Sequence, residues 1–401
     1  MDVSVIGGGI GGLSLALQLD RAGIDCRVYE SAPAYAPLGA GVNLYPHAVR
    51  RLHDLGLEDA LRSVAVEQQE RAFFTGHGQR VYSEPCGRSA GYDVPHYSIH
   101  HAELHRVMLE AVEARVGPVA MSHHCTRVVE EGARVLVHFE DAPPARACIA
   151  VACDGFHSTV RHQFHPQEGP PQFGGTNVWL GVTRSEPFLT GASIARIGAL
   201  KRRTAMIYPI RNHGDGTQTH NWVAELKSTK TTPNDWNAAG RLEDFIGNYE
   251  TWRFDWLDVP DLIRRNQFVL EYPMVDRDPV ERWTFGRSTL LGDAAHPMYP
   301  RGGNGAAQSI LDGDALARAL RDAPDPIAGL QAYEAERRPR TSRIVLANRS
   351  TPPDTIVDRV EELTGGDRFD DIDTVIARDA LAAISERYKQ LTSGDIQSVN
   401  R

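Results

Sequence analysis

A chain of 401 residues, 41% hydrophobic and 24% charged, has the make-up of an ordinary globular protein with room for one large or two interlocked domains. Its net charge of −9 leaves no broad basic field, which argues against nucleic acid as a main partner. Five scattered cysteines without a CxxC pair (Cys26, Cys86, Cys125, Cys148, Cys153) speak against a disulfide framework or a zinc site and for a reduced, cytoplasmic protein.

Val3-Ser4-Val5-Ile6 reads as a short buried strand, and with no apolar leader before it a signal peptide is not expected. It runs into Gly7-Gly8-Gly9-Ile10-Gly11-Gly12. Leu13 to Ala22 then has helical spacing, and Ile24 to Glu30 reads as a second strand ending in an acid. In that frame Gly7 makes the tight turn, Gly9 lets a pyrophosphate approach, and Gly12 packs helix on strand, with Gly11 counted among the cofactor-binding glycines. Glu30, 18 residues after Gly12, is placed for an adenosine ribose hydroxyl. A lone GxGxxG is weak; strand, glycines, helix, strand and acid in register are specific.

Gly39-Ala40-Gly41-Val42-Asn43 is expected to be a second flexible glycine loop near the ligand, with a helix following from about Pro46 to Leu55. Arg71 to Tyr97 is strand-like around a hairpin at Gly76-His77-Gly78. His100 to Val112 is helical, with Leu104, Val107, Met108 and Ala111 on one face. His123 and His124 lack partners at metal-ligand spacing, so no metal is expected. Ile149 to Ala152 is another buried strand, leading into Cys153-Asp154-Gly155-Phe156-His157-Ser158-Thr159-Val160-Arg161. Asp154 reads either as a helix N-terminal acid or as a group near a cofactor pyrophosphate.

Between 174 and 280 the pattern becomes antiparallel strands, with Trp179–Thr183, Ala205–Pro209 and Asn221–Leu226 the clearest. Helices are expected near 241–252 and 259–265, and Lys201-Arg202-Arg203 as a solvated turn. Ser288 to Leu291 is a buried strand placing Gly292 and Asp293 where it meets a loop. Pro297 and Pro300 fix that loop, and Gly302, Gly303, Asn304 and Gly305 carry it into a helix over 306–320. Glycines there allow close approach of a ligand, and Asp293 is suited to accept from a ribityl or ribose hydroxyl. A long helix over 327–348, kinked at Pro339, and a final one near 373–391 complete the chain. The tail reads as a cap or a dimer contact, giving a monomer or homodimer. No stretch approaches the ~18 apolar residues of a membrane span.

Taken together, GGGIGG with Glu30, CDGFHSTVR and the stretch from Gly292 to Gly313 resemble the single-component FAD-dependent aromatic hydroxylases of the para-hydroxybenzoate hydroxylase type, over nearly all of residues 1–350. The resemblance implies an α/β fold: a Rossmann-like FAD-binding domain (1–70, 100–165, 281–350) interrupted by an antiparallel-sheet substrate domain (71–99, 166–280), with C-terminal helices (351–401). It implies that Asp293 binds the FAD ribityl chain, and that the loop from Pro297 to Gly303, Asn304 and Gly305 lies beside the isoalloxazine. Asp154 then belongs to a segment tied to the FAD pyrophosphate and to NAD(P)H. SIHHAEL (98–104), WLGVT (179–183) and RNQFVLEYPMVDRDP (265–279) are similar to the phenazine-carboxylate monooxygenase subfamily, which hydroxylates fused or heteroaromatic acids, in one case with decarboxylation. Where many relatives have the arginine of R-x-x-L, His101 stands here, and Arg106 one turn on is the expected substitute.

With only one dinucleotide fingerprint, NADH or NADPH is expected as a transient co-substrate. The family chemistry implied is reaction of reduced FAD with O2 to a C4a-hydroperoxide that attacks a small aromatic substrate. His296, Pro297 and Tyr208 are the candidates for catalysis, His296 reading equally as a structural member of its motif. Trp179, Trp222, Met298 and Arg301 are candidates for the pocket, with core packing as the alternative for each. Arg301 or Arg203 would meet a substrate carboxylate. The competing reading is a flavin reductase or dehydrogenase of the same fold.

Overall fold

The structure, a computed structural model, describes residues 1–35, 40–229, 238–266, 268–392 and 396–400. Gly39 of the second glycine loop and Gln267 of the 265–279 segment lie outside these residues.

The short apolar strands near the start, at 149–152 and at 288–290 join one sheet. Its order is Thr284–Phe285, Ser288–Leu290, Ile149–Ala152, Asp2–Ile6, Asp25–Tyr29. All pairings are parallel except that of Thr284–Phe285, and Val5 stands beside both Val151 and Val28. Strands without polar alternation are what a sheet covered on both faces requires. Helices Ile10–Arg21 and Gly305–Asp322 pack together on it, and His101–Arg115 packs on the first of them. The antiparallel strands Cys125–Glu131, Arg134–Phe139 and Ala145–Ala147 contribute Val128, Val135, Val137 and Phe139 to the same core.

A second sheet has seven strands in the order Leu270–Asp276, Gln172–Ser185, Gln218–Lys227, Arg203–Asn212, Ser193–Ile197, Glu70–Phe74, Arg80–Pro85. Its register sets Trp179 opposite Ala224, Ile207 opposite Trp222, and Val178 opposite both Glu225 and Tyr272. Because side chains alternate along a strand, two faces result. Trp179, Trp222, Ala224, Ala205 and Ile207 face a core with Phe245, Tyr249, Trp252 and Leu262. Val178, Leu180, Val223 and Tyr272 face the other way, towards Tyr299. The helix expected over 241–252 is two short 3-10 turns, Leu242–Asp244 and Ile246–Asn248; Gly247 and Asn248 are poor helix formers in its middle.

Between the sheets lies a three-stranded one, Gly41–Leu44, His96–His100 and Ala65–Gln68. Gly41 and Val42 are therefore in a strand, a correction to the flexible loop expected there. The Gly41 N–H donates to Asn221 Oδ1 at 2.7 Å, and a Cβ at Gly41 would lie 2.7 Å from the Asn221 Cβ. That glycine is required by sheet-to-sheet approach.

Helix Pro326–Ser350 continues through Pro339. Beyond it, Thr355–Thr364 and Arg378–Thr392 lay Ile356, Val357, Val360 and Leu381 against Phe73, Val81 and Ala199. The buried Arg196–Asp354 pair, 2.6 Å, pins the tail to the seven-stranded sheet. Among the described residues no helix is long and apolar enough to cross a membrane.

Candidate active site

Ile6, Ala152 and Leu290 end neighbouring parallel strands, so the three motif loops that follow them emerge at one edge of the sheet. Open α/β sheets bind ligands at that edge, beyond the carboxyl ends of the strands. The loops are stitched together: Cys153 N–H donates to the Ile6 carbonyl (2.7 Å) and Leu291 N–H to the Ala152 carbonyl (2.9 Å). Buried Arg161 donates to the carbonyls of Ala294 (3.0 Å) and Ala295 (2.8 Å) and pairs with Glu168 at 2.6 Å, fixing the Asp154 segment to the Asp293 segment.

Four of the five glycines of the first motif, Gly7, Gly9, Gly11 and Gly12, separate by what a Cβ would meet. At Gly7, with φ +106°, it would lie 2.3 Å from the Cys153 carbonyl oxygen; at Gly12, 1.9 Å from that of Gly7; at Gly11, 3.2 Å from Leu291. At Gly9 it would meet nothing within 4 Å. Three of these glycines close the packing and Gly9 faces open space, as a loop receiving a pyrophosphate must. Glu30 is held at the same turn, accepting from Gly8 N–H at 2.7 Å and Ala32 N–H at 2.9 Å. The imidazole of His105, 4.3 Å from the Tyr35 ring, touches the Gly8 carbonyl through Nε2 at 2.8 Å.

The other two loops present oxygens short of donors. Asp154 Oδ2 accepts from Val160 N–H at 3.4 Å, while Oδ1 is buried without a partner and burial raises the carboxyl pKa. Asp293 is open to solvent, and desolvation by the surrounding protein raises its pKa against the pull of His296. It lies against the start of helix Gly305–Asp322, with Oδ1 3.9 Å from where a Gly305 Cβ would be. Asn304 Oδ1 is likewise buried and unpartnered. Acceptors of this kind beside an open glycine turn fit the hydroxyls and phosphates of FAD.

Gly302 and Gly303 take φ of +79° and +65°, which favours glycine. The Tyr45 hydroxyl donates to the Gly302 carbonyl. Behind the loop, buried Asp312 accepts from Gly292 N–H (3.1 Å) and Arg337 Nε (2.7 Å) and pairs with His296 Nε2 at 2.5 Å.

The other expected site residues take these places. Arg106 is half-exposed and bound to Glu103 (2.9 Å) and Glu110 (2.8 Å) of its own helix, pointing away from the glycine loop. His101 and His105, one turn apart, occupy the inward face instead. Trp179 and Trp222 lie in the core on the sheet's other face, both stacked with Phe245. Arg203 lies over the ring of Trp252, on that same far side. Met298 packs with Ile344 and Val345. His296 is a buried partner of Asp312, which suits holding the loop better than moving a substrate proton. Pro297 is buried, its carbonyl accepting from Arg277 N–H at 3.5 Å. Tyr208 is buried and its hydroxyl donates to the Gly41 carbonyl at 3.0 Å. Arg301 is buried, 3.5 Å from Glu225 and 3.3 Å from Thr176 Oγ1, with Nε unpartnered.

His105, Asp312, Arg337 and Tyr388 escaped the sequence reading, whereas Arg161 belongs to the CDGFHSTVR segment that it singled out. The i, i+4 spacing of His101 and His105 was the only local signal for any of them.

Residues 1–348 match the family described as FAD binding domain. The chain is 39% identical over 362 residues to the phenazine 1,6-dicarboxylic acid hydroxylase PhzS of Lysobacter antibioticus, covering 87% of this chain and 89% of that protein. It is 35% identical to the 3-amino-4-hydroxybenzoate 2-monooxygenase PtmB3 of Streptomyces platensis, covering 85% of each. Among solved structures, Klebsiella pneumoniae HpxO complexed with FAD and uric acid shares the fold with a TM-score of 0.74 at 23% identity, covering 100% of this chain and 95% of that one.

Proposed function

The chain belongs to the FAD binding domain family, as an aromatic-hydroxylase-type flavoprotein monooxygenase, and on that premise we propose that it uses NADH or NADPH and O2 to hydroxylate a fused or heteroaromatic acid of the phenazine-carboxylate class. The observation that carries this reading is the meeting of the three motif loops at one sheet edge, with the apolar face of the seven-stranded sheet against the third of them.

FAD, when bound, supplies the redox and oxygen-activating chemistry. The chain's own residues hold and screen it. Gly9 would leave room for the pyrophosphate in a turn that Gly7, Gly11 and Gly12 close, and Glu30 would take the adenosine ribose. Asp293 and Asp154 would accept from hydroxyl groups of the cofactor, and Gly303, Asn304 and Gly305 would be its neighbours on the ring side. In this reading residues 1–70, 100–165 and 281–350 carry the flavin, and 71–99 and 166–280 carry the substrate.

Val178, Leu180, Tyr272, Met274 and Tyr299 form a buried apolar cluster with Ala40 and Val223 packed on it, a wall suited to a flat ring. Burial there excludes water from the reacting centre. Arg301 stands on that side of the sheet with a free Nε, and is the cation assigned to a ring carboxylate. Tyr208, bonded to Gly41, holds the wall to the flavin side.

The test is anaerobic, then aerobic, stopped-flow absorbance with NADH or NADPH and a panel of aromatic acids that includes phenazine-1-carboxylate. Faster flavin reduction with one acid, followed by hydroxylated product, supports the assignment. Reduction at one rate with every acid, yielding only hydrogen peroxide, favours the reductase reading.

A further inference from the structure

On the outer side of helices Pro46–Asp54, Gly305–Asp322 and Pro326–Ser350 lies a cleft of about 390 Å³, apart from the three motif loops. Six arginines line it (Arg50, Arg51, Arg318, Arg337, Arg340, Arg343) against two carboxylates, Asp314 and Glu336, in a protein whose net charge is −9. Asp314 is shared between Arg51 (3.6 Å) and Arg318 (3.1 Å), and Glu336 lies 3.2 Å from Arg318. Arg50 reaches the Val399 carbonyl (3.0 Å) and Arg337 is committed to Asp312. Arg340 and Arg343 are exposed and have no ion pair or hydrogen bond among the described residues.

A second observation points to a ligand. His47 lines the cleft, is 7% exposed, stacks on Tyr45, and leaves Nε2 buried without a partner. Burial first, then the charges of Arg337 and Arg51, depress its pKa to about 3, so the imidazole is neutral at pH 7. A neutral hydrogen-bonding group under a ring of guanidiniums suits an oxyanion with several equivalent oxygens. Guanidinium forks match phosphate oxygens two at a time.

We propose that this cleft binds a phosphate-bearing anion, with Arg340 and Arg343 gripping it at the mouth and His47 in the wall beneath them. The shared chemistry is a diphosphate, either that of the nicotinamide dinucleotide or a free one. Arg337 gives the site a route to the flavin loop, since the same guanidinium holds Asp312, which holds His296 and Gly292 N–H.

Titration calorimetry of the flavin-loaded full chain with inorganic pyrophosphate tests this, in low salt and again at 0.3 M NaCl. Saturable binding is expected, weakened by salt and reduced at least about tenfold in the Arg340→Glu/Arg343→Glu variant. Both positions are exposed, and an unchanged melting temperature shows that the variant is folded; the milder Arg343→Gln is expected to fall between. Absence of saturable binding to the wild type, or equal binding by the double variant, overturns the site. The readout is heat of binding, so it does not depend on whether any aromatic is hydroxylated. A second arm identifies the source. If pyrophosphate raises the apparent KM for NADH or NADPH in the wild type and not in the variant, the cleft serves the reductant. An unchanged KM assigns it to a free phosphate ligand.

Discussion

The Tyr388 hydroxyl, brought in by the last long helix, accepts from Asn304 Nδ2 at 2.9 Å and donates to Asn348 Oδ1 at 2.8 Å. It stands so close that a Cβ at Gly302 would lie 1.8 Å from it. A residue outside the 1–348 family match is therefore wedged against the loop assigned to the isoalloxazine. Tyr388→Phe leaves two buried amide groups short of a partner, a loss of about 1–3 kcal/mol. The expected outcome is a lower melting temperature and an FAD dissociation constant raised roughly fivefold, read by flavin fluorescence. Unchanged FAD affinity would reduce Tyr388 to a packing residue.

Gly9 and Gly12 differ in kind, and substitution separates them. Gly12→Ala pushes a methyl to 1.9 Å from the Gly7 carbonyl oxygen, so the apoprotein itself is destabilised, by about 1–3 kcal/mol or more. Gly9→Ala places its methyl in open space, so apoprotein melting is expected to hold while FAD affinity falls. Parallel melting curves with and without FAD check this. If Gly9→Ala binds FAD as well as wild type, the pyrophosphate lies elsewhere.

Much of the three-loop sheet edge was legible because its logic is local. A strand, a turn demanding positive φ at Gly7 and a helix needing Gly12 at its first turn are neighbours in sequence, and each leaves a residue-type signature. Asp154 and Asp293 follow the same rule at strand ends. The substrate side was not legible in this way. Which face of a strand looks at a neighbouring layer is a matter of parity set by partner strands, so the sequence leaves Trp179 and Trp222 open between pocket and core, and the structure puts both in the core with Phe245. For Arg106 helical phase decides: the inward stripe runs through His101 and His105, and the next residue points to solvent. Tyr388 and Asp312 act across 84 and 16 residues respectively, and no local pattern marks either.

Asp293→Ala is expected to lose FAD affinity by about tenfold or more, because a carboxylate facing cofactor hydroxyls contributes more than a neutral acceptor. Asp293→Asn keeps an acceptor and is expected to retain an intermediate share. Equilibrium dialysis of the yellow cofactor gives the ranking, and full retention in the alanine variant would remove Asp293 from the site.

Asp312 makes stability depend on pH. Burial alone would raise its carboxyl, but His296 and then Arg337 outweigh it and hold the pKa below the ordinary 3.8. A carboxyl depressed on folding contributes stability that is complete above its unfolded value of about 3.9 and is lost as pH falls through the folded value. Asp312→Asn leaves the buried Arg337 guanidinium without its counter-charge, at about 3–5 kcal/mol near pH 7. Urea unfolding at pH 7, 5 and 3 is expected to show that gap narrowing only below about pH 4. A gap that is constant with pH would mean that folding leaves the Asp312 pKa unshifted, and a gap that widens as pH falls would mean Asp312 is protonated in the folded protein.

The two faces of the seven-stranded sheet give the sharpest test of where the substrate lies. Trp222 is 1% exposed and donates through Nε1 to Thr183 Oγ1 at 3.2 Å, on the face away from Tyr299. Trp222→Ala is expected to lower stability by about 3–5 kcal/mol and, in the fraction that folds, to leave KM for the aromatic acid alone. Leu180, one residue on from Trp179, points towards Tyr299 and Tyr272. Leu180→Ala is expected to cost about 2–5 kcal/mol of stability and also to raise KM by several-fold, since it removes part of the wall against the ring. Steady-state kinetics on both variants, scaled to bound flavin, decide the matter. A KM change in Trp222→Ala with none in Leu180→Ala would move the substrate to the other face of the sheet, because both side chains come from the same buried layer and differ only in the direction that strand parity gives them.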